Sequence, residues 1–142
     1  MKNRTFQTKF PYDSKQLKLA AEIYNTEDET KKVKVDSIIL DTGASGSLIN
    51  SKILKYLGIN LTHDGGTSIG IEGKTISNDA GIYGVKFSDD FFFNCKMKAS
   101  ETLPVAMLLG MDVLSQFYKW EIKRDGLNPI EVYFEMHTDE NE

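Results

Sequence analysis

The sequence predicts an all-β domain with one or two short helices. Aromatic and β-branched residues are plentiful and glycines are scattered along the chain, a composition that favours strands joined by tight turns over a helical bundle. Short apolar runs, several of them alternating with polar residues, are separated by turn residues. The 142 residues suffice for one hydrophobic core, and no repeat or linker divides them. We therefore assign residues 1–136 to a single domain and residues 137–142 to an acidic C-terminal tail.

The strands are predicted from period-two alternation and from short β-branched runs. In chain order they cover residues 5–10, 16–24, 33–40, 48–49, 81–87, 91–99, 108–110, 118–123 and 130–136, with a hairpin over 67–77 whose glycine-rich tip lies at 70–73. The segments 51–58 and 111–117 are predicted to be short helices, the first capped by Ser51 and ended by Gly58. The charged run 25–32 and the acid pair Asp89–Asp90 are predicted to be surface turns, not a recognition loop or a metal site.

Charge and composition argue against several classes of function. The formal net charge is −4, and the 21 acidic and 17 basic residues are mixed along the chain, so no basic patch indicates a nucleic-acid partner. Cys95 is the only cysteine and belongs to no zinc-spaced cluster, so we expect a partly buried thiol and neither metal nor cofactor. No apolar run approaches the length of a membrane span or forms a signal segment, so we expect no membrane association and a soluble, cytoplasmic protein.

The chain is organised around an acid at the end of a buried strand. Residues 38–40 are an apolar run that leads into Asp41, and the following Thr42-Gly43-Ala44-Ser45 turn has little side-chain bulk. The surroundings of such an acid tune its ionisation, and small residues suit a place where another backbone or a ligand comes close. Alone, this tripeptide could be a mere strand-ending turn. A second apolar strand, however, ends in Leu108-Leu109-Gly110 and is followed by a helix-like segment.

This pair of motifs, in this order, resembles the retropepsin-like aspartic proteases. In that family an apolar-apolar-glycine segment packs behind the Asp-Thr-Gly loop, and the resemblance covers roughly residues 38–117. It implies a closed β-barrel or sandwich with a flap hairpin that closes over the substrate. Because the chain carries a single Asp-Thr-Gly and the mechanism needs two facing carboxylates, the resemblance also implies a homodimer in which each subunit contributes Asp41.

The resemblance assigns roles to the residues of the loop. Asp41 would be the catalytic carboxylate, and Thr42 would hydrogen-bond across the dimer axis. Gly43 would offer backbone groups to the carboxylate and to the peptide. Ala44 would leave room for the substrate, and Ser45 stands where retroviral members often carry an acid. Both are expected to contact substrate.

Further substrate contacts are expected from the flap and from the second apolar strand. The flap assignment covers Ile69, Gly70 and Ile71, with Ile71 as the apolar tip, and Leu108 would lie in the floor of the cleft. The expected substrate is an extended polypeptide bound by strand addition, with apolar residues flanking the cut. Asp112 is given a structural role, because related proteases often pair an acid at this place with a nearby base.

The sequence thus predicts an aspartic endopeptidase that hydrolyses peptide bonds with a water activated by two Asp41 carboxylates. One alternative is a non-catalytic dimeric peptide-binding or regulatory module of the same fold, in which Asp41 is structural. Another is an unrelated β-domain with a chance motif, such as a small ligand-binding barrel, which would be a monomer. The intact Asp-Thr-Gly and the small Ala44 favour the enzyme.

Overall fold

Short strands make up most of the structure, a computed structural model that describes residues 3–60, 67–70, 73–79 and 82–137. In chain order the elements are β1 (Arg4–Phe10), β2 (Lys18–Asn25), β3 (Asp28–Leu40), β4 (Leu48–Asn50), α1 (Ser51–Tyr56), β5 (Thr67–Gly70), β6 (Gly73–Asp79), β7 (Tyr83–Ser88), β8 (Phe91–Cys95), β9 (Lys98–Ser100), β10 (Met107–Leu109), α2 (Met111–Leu114), β11 (Lys119–Lys123) and β12 (Ile130–Met136). The predicted all-β class with two short helices is confirmed.

The strands form two sheets. A curled nine-stranded sheet has the order β5-β6-β9-β4-β10-β3-β2-β7-β8, and a three-stranded sheet has the order β1-β12-β11. Within the large sheet, β10 pairs in parallel with β3 on one side and antiparallel with β4 on the other. Leu40, at the end of β3, lies beside Leu109, at the end of β10. The two strands therefore deliver Asp41 and Gly110 to the same edge of the sheet.

A cluster of phenylalanine rings anchors the three-stranded sheet to β7 and β8. Neighbouring ring centroids in this cluster lie 5.1 to 6.2 Å apart, and its members are Phe6, Phe87, Phe91, Phe93, Phe117 and Phe134. Aromatic contacts of this kind contribute about 0.5–1.5 kcal/mol each beyond the burial of their area. The cluster is continuous with the aliphatic core under β3 and β10. The position of the small sheet is therefore set by packing and not only by its short connections.

The charged run 25–32 was predicted to be a surface turn, but most of it belongs to β3. The turn comprises only residues 26–27, and β3 begins at Asp28 and pairs with β2 through partners such as Tyr24 and Lys32. The side chains of residues 29–32 are exposed, so this part of β3 carries its charges into water. A solvent-exposed strand tolerates charged residues, whereas a buried strand does not. A run of charges is therefore compatible with either a turn or an exposed strand, and the predicted start of β3 was wrong for this reason.

The helix ends differ in detail from the prediction. Asn50, not Ser51, caps α1, because its side-chain oxygen accepts a hydrogen bond from the Lys52 amide at 3.0 Å. Ser51 is the first helical residue and is fully buried. Gly58, with φ of 72°, follows the helix as predicted, whereas α2 ends at Leu114, earlier than expected. Neither helix in the described part of the chain is long and apolar enough to span a membrane.

A hairpin stands where the flap was predicted. β5 and β6 pair antiparallel from Thr67 opposite Ile76 to Gly70 opposite Gly73. Ile69 and Gly70 lie on β5, whereas the predicted tip residue Ile71 lies outside the described residues, as does the tail segment 138–142. The hairpin itself is confirmed, and its closure over a substrate stays a prediction.

Candidate active site

Asp41 is positioned by the strands on either side of it in space. It follows β3 directly, and its amide donates a hydrogen bond to the Leu109 carbonyl at 2.9 Å. One residue earlier, the Leu40 amide donates to the Leu17 carbonyl at 3.0 Å. The backbone that leads into the acid is thus tied to two neighbouring segments, one at Leu17 and one at Leu109. The Asp41 side chain is consequently held, half-buried, at the edge of the large sheet.

The Asp-Thr-Gly turn folds back onto its own acid. The Gly43 amide donates to Asp41 Oδ1 at 3.1 Å, and the Ala44 amide donates to the Asp41 carbonyl at 3.2 Å. Thr42, Gly43 and Ser45 are exposed. The turn therefore holds one carboxylate oxygen of Asp41 through its own backbone, and it leaves Thr42, Gly43 and Ser45 at the protein surface.

Gly110 supports this turn from behind. A Cβ atom added at Gly110 would lie 2.7 Å from the Ala44 carbonyl oxygen, closer than real Cβ contacts come, and 3.1 Å from the Gly46 carbonyl oxygen. The next amide, of Met111, donates to that same Ala44 carbonyl at 2.8 Å, and the Asp112 amide donates to the Ser45 carbonyl at 3.2 Å. Only glycine allows the two backbones to approach this closely. The predicted packing of the apolar-apolar-glycine segment behind the loop is therefore observed.

The acid at the start of α2 has a different partner from the one predicted. Asp112 accepts hydrogen bonds from the Ser47 amide at 3.0 Å and from the Ser47 hydroxyl at 2.5 Å, and no base pairs with it among the described residues. The buried Ser47 hydroxyl also accepts from the Gly110 amide at 2.7 Å. Asp112, Ser47 and Gly110 thus form one network that closes the far end of the Asp41 turn. Ser47 was not predicted to belong to the site. Its position, as a small polar residue between a tight turn and an apolar strand, could have indicated it.

An apolar row lies on the same side of the sheet as the Asp41 side chain. Leu108 is paired with Ile39 on β3 and with Leu48 on β4, so the three side chains lie next to one another. All three are half-buried, whereas their neighbours along each strand are buried in the core. Because side chains alternate along a strand, Ile39 and Asp41 project from the same face. Leu108 was predicted at this site, and Ile39 and Leu48 were missed, although period-two alternation around Asp41 would have indicated Ile39.

Other chemistries find little support at this site. Burial beside Tyr83 raises the pKa of the Cys95 thiol to about 12, so the thiolate that a nucleophile requires is not formed near neutral pH. Within residues 3–60 and 82–137, no three His, Cys, Asp or Glu side chains are grouped so as to hold a metal ion. The arrangement that remains is a carboxylate in a tight, supported turn beside an apolar row.

The sequence of this region matches a known protein family. A family model described as "gag-polyprotein putative aspartyl protease" matches residues 29–116, more than half of the chain. The chain belongs to this family. It is therefore an aspartic-type endopeptidase, and the alternative of an unrelated β-domain with a chance motif is wrong. The matched segment of this aspartic protease runs from the start of β3 to just past α2 and contains both the Asp41 turn and its support.

Solved structures of other aspartic proteases share the fold. A retropepsin-like aspartic protease from Rickettsia conorii superposes with a TM-score of 0.59 at 18% identity, covering 96% of this chain and 98% of that chain. EIAV protease, solved in complex with the inhibitor HBY-793, superposes with a TM-score of 0.53 at 20% identity, covering 72% of this chain and 88% of that chain. A comparison with curated proteins gave no significant match. At these identities the structural likeness establishes the retropepsin-like fold of this aspartic protease.

Proposed function

We propose that this protein is a dimeric endopeptidase in which Asp41 of two copies forms the catalytic pair. The observation that carries the proposal is the position of Asp41. It is half-buried at the end of β3, in a turn held from behind by Gly110. The chain has a single Asp-Thr-Gly, so the second carboxylate of an aspartic protease pair has to come from a second copy. The exposed Thr42 and Gly43 are accessible to that copy.

The chemistry follows from placing two carboxylates a few ångströms apart. Both cannot be ionised at low cost, so the pair holds one proton. The ionised Asp41 takes a proton from a water molecule whose oxygen attacks the peptide carbonyl carbon, and the protonated Asp41 donates to the carbonyl oxygen. The Asp41 that took the water proton then gives it to the amide nitrogen, the other Asp41 takes a proton from a hydroxyl of the tetrahedral diol, and the carbon–nitrogen bond breaks, which restores the singly protonated pair. Which copy holds the proton depends on the bound state.

The loop around Asp41 supports specific roles in this reaction. Thr42 would hydrogen-bond across the dimer axis and hold the two turns together. Gly43, whose amide already contacts Asp41 Oδ1, would keep the carboxylate oriented and leave space for the peptide. Ala44 and Ser45 would line the path of the substrate, because they continue the turn immediately beyond the acid.

The substrate would be an extended polypeptide with apolar residues beside the cleaved bond. The half-buried row of Ile39, Leu48 and Leu108 offers apolar surface next to Asp41, and its burial against substrate side chains would favour such peptides. Ile69, Gly70 and Ile71 would cover the peptide from the flap side, adding backbone hydrogen bonds in the manner of a further strand. A cytoplasmic location stays a prediction, as does the lack of a nucleic-acid partner.

The test compares peptide-library cleavage by the wild type and by the Asp41→Asn and Asp36→Asn variants, from mildly acidic to neutral pH. Asp36 is a matched control, because it is an exposed acid on the same strand. We expect Asp41→Asn to abolish cleavage and Asp36→Asn to retain it, with the specific activity of the wild type falling on dilution. Equal cleavage by wild type and Asp41→Asn would contradict the proposal. Peptide binding without cleavage by either would favour the non-catalytic module.

A further inference from the structure

The apolar row beside Asp41 continues, on the side away from the acid, into two polar residues. Ser37 lies two residues before Ile39 on β3, and Asn50 lies two residues after Leu48 on β4. Because side chains alternate along a strand, both project from the same face as the row. Both are half-buried. Ser37 and Asn50, the polar pair, therefore lie on the face that the proposed function assigns to the substrate.

The polar pair holds the loop that joins β9 to β10, residues 101–106. Asn50 Nδ2 donates a hydrogen bond to the Leu103 carbonyl at 2.9 Å, and the Asn50 amide donates to the Ala106 carbonyl at 2.9 Å. From the other side, the Ala106 amide donates to Ser37 Oγ at 2.9 Å. The β9–β10 loop is therefore attached to both β3 and β4 before the chain enters β10.

This loop borders the apolar row at the end away from Asp41. The two side chains that hold it project from the face of the row, and Leu108 follows Ala106 by only two residues. The apolar side chains of the loop itself, Leu103 and Val105, are half-buried. Such side chains gain further burial when another apolar group packs beside them. The loop is therefore placed to form a wall of the space above the row.

Asn50 has a second task, which a substitution can separate from the first. Its Oδ1 accepts a hydrogen bond from the Lys52 amide at 3.0 Å and so caps α1, while its Nδ2 holds the loop. Aspartate is as good a helix cap as asparagine, but an ionised carboxylate accepts hydrogen bonds and donates none. Asn50→Asp therefore keeps the cap and loses the bond to the Leu103 carbonyl, whereas Asn50→Ala loses both.

On the basis of the proposed function, we propose that Ser37 and Asn50 are positioning residues that set which apolar side chains the protease accepts. They act through the β9–β10 loop and do not touch the substrate themselves. A loop that is held on two sides gives the space above the row a fixed size. An apolar pocket of fixed size discriminates between side chains that differ by one methylene group by about tenfold or more. A released loop adapts to side chains of several sizes, so the discrimination falls.

Two peptides that differ by one or two methylene groups beside the cleaved bond measure this discrimination, one preferred and one disfavoured by the wild type. We expect Asn50→Asp and Ser37→Ala each to lower the ratio of their kcat/KM values by about fivefold or more. The loss should lie mainly in a raised KM for the preferred peptide, with kcat changed by less than about twofold, because other contacts hold Asp41. Ser37→Thr keeps the hydroxyl group and should keep the wild-type ratio.

Urea unfolding separates positioning from stability. Asn50→Ala loses the helix cap and should unfold at a lower urea concentration than Asn50→Asp, yet the two variants should lose discrimination equally. The control at the same junction is Glu101→Gln, which removes an ion pair between α1 and the start of the loop. Lys55 Nζ lies 3.3 Å from Glu101 Oε1, and the two side chains are 59% and 63% exposed. Exposed pairs of this kind contribute little, so Glu101→Gln should keep the wild-type ratio.

The outcomes distinguish this role from the proposed function. Wild-type ratios in Asn50→Asp and Ser37→Ala would overturn the positioning role, while cleavage by the wild type would still support the proposed function. Loss of discrimination in Asn50→Ala but not in Asn50→Asp would also overturn it, because the helix cap alone would then explain the effect. A wild type that cleaves no peptide would contradict the proposed function and the positioning role together.

Discussion

The carboxylate of Asp112 accepts two hydrogen bonds from Ser47, one from its amide at 3.0 Å and one from its hydroxyl at 2.5 Å, across 65 residues of sequence. This contact joins the start of α2 to the end of the Asp41 turn. Because the Ser47 hydroxyl also accepts from the Gly110 amide at 2.7 Å, one buried hydroxyl connects all three segments. Asp112 is therefore a positioning residue for Asp41, which it does not contact through any described hydrogen bond.

Asp112→Ala should destabilise the protein and reduce cleavage. The substitution leaves the buried Ser47 amide and hydroxyl without their acceptor, at a cost of about 1–3 kcal/mol in the free energy of unfolding. Urea unfolding measures this cost, and peptide cleavage reports the displacement of the turn. Asp112→Asn keeps one oxygen acceptor, so it should recover part of the lost stability and part of the lost cleavage activity. Equal stability of Asp112→Ala and wild type would show that the network does not hold the turn.

Gly110→Ala should reduce activity because the added methyl group displaces the Asp41 turn. The new Cβ would lie 2.7 Å from the Ala44 carbonyl oxygen, which belongs to backbone and cannot move alone. Overpacking of this kind costs about 1–3 kcal/mol. Gly46→Ala is the matched control, since a Cβ there meets nothing within 4 Å. Unfolding and cleavage assays on the two variants should differ clearly, and similar values would argue against close packing behind the turn.

Leu108→Ala should change the cleavage preference more than it changes stability. Leu108 is half-buried in the apolar row, whereas the adjacent Leu109 is fully buried in the core. Leu109→Ala is expected to cost about 2–5 kcal/mol in the free energy of unfolding, and Leu108→Ala clearly less. Profiling of cut sites in a peptide library should show that Leu108→Ala shifts the accepted apolar residues toward larger ones. An unchanged profile would mean that Leu108 does not line the cleft.

Cys95 should make stability fall with rising pH in the alkaline range. Burial raises the pKa of its thiol from 9.0 to about 12, so above pH 9 the unfolded chain releases a proton that the folded protein keeps. Below about pH 8 this stabilisation is fully present, and at higher pH it is lost by at most about 1.4 kcal/mol per pH unit. Urea unfolding from pH 7 to pH 10.5 should show a shallower decline for Cys95→Ala than for the wild type. Parallel declines would contradict burial of the thiol.

Part of the site could be predicted because its signals are local. An apolar run that ends in Asp41 and a small-residue turn specify a strand and its end within a few residues, and Leu109-Gly110 carries a similar signal. Local alternation also placed the β11–β12 hairpin correctly. The start of β3 was missed for the same reason, since a run of charges indicates solvent exposure but does not distinguish an exposed strand from a turn.

The sequence by itself determined the all-β class, the Asp41 turn and the protease family. Only the tertiary structure decided that Ser47 is the partner of Asp112, that Ile39 and Leu48 lie beside Leu108, and that β12 occupies the centre of the small sheet. Strand formation and turns depend on neighbours in sequence, which a pattern contains. Register and strand order depend on how distant side chains pack together, and no local pattern contains that information.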